Sequence, residues 1–121
     1  MSNLADLVPP LELCKMIPDG EFEESYAIYV YIYGWLLMPV DDCASDIKEK
    51  HSYYRAPTLE EILEELRKNQ EDVFLKWSET AYNAWLVNAY THDKEDYQDH
   101  NSSAATAALT VWLKMKGKIN G

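Results

Sequence analysis

Glycine is scarce in this chain, with four in 121 residues, at positions 20, 34, 117 and 121. That excludes the glycine-rich loops that cradle phosphates, which need clustered glycines so that the backbone can approach the ligand. Cysteine is scarcer still, limited to Cys14 and Cys43. A secreted domain stapled by disulfides usually carries more, so both are read as free thiols. Neither has a neighbouring histidine or basic cluster to lower its pKa. No nucleophile elbow accompanies them or His51, His92 and His100. Basic residues are also few, 11 Lys and Arg against 21 Asp and Glu, for a net charge of −10. Such a surface repels phosphate backbones and anionic lipid, which disfavours nucleic acid and membranes as partners. The longest apolar run, Ala27 to Val40, is too short and too rich in tyrosine to span a bilayer. The opening MSNLADLVPP has no basic region followed by an apolar run, so no signal peptide is expected and a cytoplasmic location is.

What is abundant is aromatic and apolar side chain. Hydrophobic residues make up 47% of the chain, and nine Tyr, four Trp and two Phe make the expected core bulky. The length suits a single domain spanning 1–121. Residues 1–8 read as a loose leader. Pro9 and Pro10 pre-set the backbone for a helical turn, and Pro18-Asp19-Gly20 is a turn in which glycine takes a positive φ.

The same order of elements then runs twice. Ser25 to Tyr33 alternates β-branched and aromatic residues, which fit a pleated surface. Gly34 reverses the chain and Trp35 to Val40 returns. Residues 41–56 follow as a long polar loop. Thr58 and Glu61 form a capping box at the start of a helix to Lys68, with Leu59, Ile62, Leu63 and Leu66 as its apolar stripe. Val73 to Trp77 and Tyr82 to Tyr90 read as a second strand pair. A helix over 79–90 competes, since Ala81, Ala84, Trp85 and Asn88 also allow helical spacing. Residues 91–101 form a second charged loop. Ser102 or Ser103 caps a last helix to Lys116, with lysines at its C-terminal end and Gly117 as its stop. The expected fold is α+β, of order ββαββα: a four-stranded antiparallel sheet with two helices on one face.

Three segments carry a resemblance: Pro10 to Phe22, Ala56 to Leu63 (APTLEEIL) and Ala104 to Gly117 (AATAALTVWLKMKG). Together they resemble small uncharacterised proteins encoded in phage and prophage regions of gut bacteria. The resemblance implies a compact α+β protein without an assigned activity, and it transfers no catalytic residue and no cofactor.

Two groups of residues stand out as candidate sites. Alternation places Tyr29, Tyr31 and Tyr33 on the strand face opposite Ile28 and Val30. If two helices cover the other face, these tyrosines, joined by Trp35 and Trp85, form an aromatic surface suited to a protein partner or a second copy, the latter a homodimer. The competing expectation is that the N-terminal turn and the 41–56 loop cover it. His92, Asp96 and His100, spaced by four, would share one face of a helix and could hold zinc. The cluster Glu60, Glu61, Glu64 and Glu65 reads as a solvated helix face rather than as paired catalytic carboxylates.

Three functions follow. The first is a non-enzymatic accessory protein acting through the aromatic face. The second is an acidic mimic of nucleic acid that inhibits a host enzyme. The third is a small metal-dependent enzyme using His92, Asp96 and His100.

Overall fold

The computed structural model describes residues 4–42, 51–69, 72–78, 84–90 and 96–119. The class is α+β, but the strands form two three-stranded antiparallel sheets rather than one of four. The chain divides into two compact units at Thr58 and Leu59.

In the first unit the central strand is β1 (Ala27–Tyr31), flanked by β2 (Trp35–Pro39) and β3 (Tyr53–Ala56). The reversal between β1 and β2 spans Ile32, Tyr33 and Gly34, leaving Tyr31 opposite Trp35. β3 comes from the C-terminal end of the segment read as a polar loop. It pairs with β1 from Ala27↔Ala56 to Val30↔Tyr53. With both of its edges filled, β1 has no side left for a strand from the second half. β3, a strand absent from the expected four, thus makes this sheet three-stranded from the first unit alone.

Two short helical turns precede this sheet, α1 (Leu4–Leu7) and α2 (Leu11–Cys14). Pro10 occupies the N-cap of α2 with φ −67°, the value its ring imposes. The Pro9 carbonyl takes no part in the α2 ladder. It accepts instead from the Tyr29 hydroxyl at 2.8 Å and from the Cys14 thiol at 3.6 Å. The N-terminal segment is thereby tied to β1. Gly20 follows at φ 92°, the left-handed region open to glycine at little cost.

The second unit contains β4 (Asp72–Ser78), β5 (Ala84–Tyr90) and β6 (Asp96–Asn101), ordered β4-β5-β6 as a meander. β5 is a strand and not the competing helix; residues 79–83 lie outside the described residues. β6 (DYQDHN) comes from the second segment read as a loop. Its burial alternates between exposed and half-buried, the pattern of a polar edge strand. Strand order also separates the two halves of the chain. The first strand is central in one sheet and the middle strand in the other, so the repeat lies in element order alone.

The helices α3 (Leu59–Asn69) and α4 (Ala104–Met115) both belong to the second unit, where they pack on each other, and α4 lies against β5 and β6. Ile62, Leu63 and Leu66 of α3 are buried as the stripe predicts. Ser103 caps α4, its hydroxyl accepting from the Thr106 amide at 3.3 Å. The small Ala105, Ala107 and Ala108 allow close approach, while Leu109, Val111, Trp112 and Leu113 fill the interior completely. Gly117, at φ 73°, ends the helix. Among the described residues no helix is long and apolar enough to cross a membrane.

Candidate functional site

Alternation on β1 and its registers place Tyr29, Tyr31, Trp35, Leu37 and Tyr54 on one face of the first sheet. Tyr29 is half-buried beneath the N-terminal segment, spent on its bond to Pro9. That end of the face is covered, as the competing expectation had it. The other end is open. Tyr31 is 47% exposed, Trp35 36%, and Tyr33 in the reversal 100%.

These exposed rings are not independent. Tyr31 and Trp35 meet edge to face with centroids 5.3 Å apart, and Trp35 and Tyr54 lie 5.5 Å apart. Lys15 sets its ammonium 5.4 Å from the centre of the Trp35 ring. Tyr31, Trp35, Tyr54 and Lys15 thus hold favourable ring and cation contacts with one another within the face itself.

Trp85 lies on β5 of the second sheet. It is half-buried there, edge on to Trp77 at 5.4 Å. The opposite face of that sheet presents Phe74, 55% exposed and set against Tyr90 at 6.1 Å.

The metal expectation fares differently. His92 lies outside the described residues. Asp96 and His100 lie on β6, a strand and not a helix. A separation of four residues there spans about 13 Å, where a helix would stack them one turn apart. Among the described residues no group of three His, Cys, Asp or Glu side chains converges as a metal site. The glutamates of α3 lie on its outer side, Glu60 and Glu64 exposed, with Lys68 paired to Glu65 at 2.9 Å.

Asp96 and His100 do border a groove of about 440 Å³ that runs along β6, with Leu86, Gln98 and Asp99 in its wall and Lys114 reaching it from α4. Asp99 is turned to the sheet face that holds the buried Val87. Burial pushes its carboxyl above the ordinary carboxylate range, against the opposing pull of the Lys114 ammonium and His100. Lys114 stands 3.8 Å from the Asp99 carboxylate and donates to the Gln98 carbonyl at 2.9 Å. Nothing in the sequence pattern marked this arrangement, since Lys114 reads there only as a charge suited to a helix C-terminus.

Cys14 is fully buried, and burial pushes its thiol up to about 12; burial and then the neighbouring Cys14 raise Tyr29 to about 12 as well. A thiol so protonated is no nucleophile. Cys43 lies outside the described residues. Comparison of the chain with protein-family models, with curated proteins and with solved structures returns no match.

Proposed function

We propose that this chain is a small interaction protein that acts by contact, docking a protein partner at the open end of its first sheet through Tyr31, Tyr33 and Trp35. The observation that carries this reading is the fully exposed Tyr33 beside a ring ladder, Tyr31 to Trp35 to Tyr54, already held in place. Tyrosine and tryptophan lose little entropy on binding and bury large areas while keeping a polar tip satisfied. A net charge of −10 favours a partner with a basic rim over a second copy of the same charge. An association with phage rests on the resemblance of the three sequence blocks alone.

The test joins two measurements. A photo-crosslinking phenylalanine analogue at position 33 is expected to give a discrete adduct in producing cells, lost when Tyr31→Asp is added. Removing a central aromatic anchor costs about 2 kcal/mol or more, roughly a thirtyfold loss of affinity. Light scattering after size exclusion is expected to find purified wild type and Tyr31→Asp both monomeric and folded. A wild-type dimer dissolved by Tyr31→Asp would make the occupant a second copy. A monomer without any adduct specific to position 33, or a Tyr31→Asp chain that unfolds, would overturn the reading.

A further inference from the structure

β6 ends its sheet, bonded to β5 on one side only. Such an edge is a template on which another chain can add a strand, and natural sheets blunt it with lysines and inward-pointing charges. In an antiparallel ladder the backbone groups of a residue point alternately toward the partner strand and away from it. The bond from Lys114 to the Gln98 carbonyl therefore marks Gln98 as outward-facing, and with it Asp96 and His100. The backbone N–H of His100 is engaged in turn by the Asp99 carboxylate. Two successive outward positions of β6 are thus occupied by side chains of the chain itself. Those side chains are held together, since Lys114 stands 3.8 Å from Asp99.

The placement of Asp99 has no other evident return. It sits half-buried on the face it shares with Val87 and Ala89, where an apolar residue would pack without a desolvation cost. The groove along β6 leaves its flank open to an approaching strand, so the edge lacks cover by bulk.

We infer that Lys114 and Asp99 form an edge guard, occupying the outward Gln98 carbonyl and His100 N–H of β6 so that a second copy of this chain cannot add its own β6 there. The guard thereby keeps β6 of one copy from pairing with β6 of another.

The test is the double variant Asp99→Leu/Lys114→Met, made in the Tyr31→Asp background so that the aromatic end cannot contribute. The expected result is a folded chain whose melting temperature equals or exceeds that of its parent, because a half-buried ion pair is exchanged for packing. Its association constant by concentration-dependent light scattering is expected to rise at least about tenfold. Amide exchange at Gln98 and His100 should slow as association proceeds. Lys118→Met, which removes the same charge from an exposed site, should stay monomeric. Single Lys114→Met answers the question should the double variant not fold. A folded variant that remains monomeric across the concentration range, or one merely destabilised without associating, overturns the guard and leaves the aromatic docking surface untouched.

Discussion

Trp112→Ala is expected to cost about 3–5 kcal/mol, the range for emptying a large aromatic from a packed interior. Trp112 is fully buried on α4, the helix that meets both α3 and the sheet of the second unit. Ala108 and Ala105, one and two turns earlier on the same helix, are buried and too small to fill the space. Against a typical total of about 5–15 kcal/mol, the loss takes about a fifth or more of the stability. The urea midpoint should fall in proportion with the slope unchanged. A fall of under about 1 kcal/mol would mean that the interior collapses around the deletion, and that α4 is not the anchor its burial implies.

Cys14 is expected to resist alkylation by about a thousandfold at pH 8 in a Cys43→Ser chain. Raising the thiol from 9.0 to about 12 leaves about a thousandth of the thiolate, and full burial adds a steric block. Urea should abolish the protection. The same shift sets an alkaline limit. Between pH 9 and 12 the unfolded chain releases the Cys14 proton while the folded chain keeps it, and Tyr29 behaves likewise from 10 to about 12. The folded state then binds more protons, so stability falls as pH rises through that window, first through Cys14 and then through Tyr29 as well. The contribution is fully present below pH 9. Fast labelling of the folded chain at pH 8, or a flat denaturation midpoint from pH 9 to 11, would contradict the buried placement of Cys14 against Pro9.

Much of the local structure was legible because it is written in local chemistry. The alternation of Ile28, Val30 and their tyrosine neighbours announced β1. The leucine stripe announced α3, and Ser103 with Gly117 bracketed α4. The two strands that were missed are edge strands. Asp96 to Asn101 has low strand propensity, and half of its side chains face water, so it resembles a charged loop until β5 is there to pair with it. Tyr53 and Tyr54 were a usable signal for β3, obscured by the charged residues before them. The number of sheets was not legible at all. It depends on which distant segment pairs with β1, and pairing across distance leaves no periodic trace. The aromatic candidate was half legible. Alternation gave the face, but only the fold shows the Pro9 carbonyl claiming Tyr29 and leaving Tyr31 and Tyr33 outside. Likewise, spacing alone could not say that Asp96 and His100 ride a strand, which removes the helical convergence a shared ion needed.

The differing strand orders also set a timetable. The β4-β5-β6 meander closes through neighbours in sequence, Ser78 against Ala84 and Tyr90 against Asp96. The first sheet must instead hold β1 open while all of β2 and the segment to Ser52 pass, before β3 arrives. Local closures are fast, and loops that must be closed before any reward arrives are slow. The sheet of the second half is therefore expected to form before that of the first, where β1 waits with one edge unpaired. Pulse-labelled hydrogen exchange should protect Val87 before Val30, and the reverse order would break this timetable. Sheet formation would then run against the direction of synthesis, leaving one edge of the tyrosine-rich β1 open the longest.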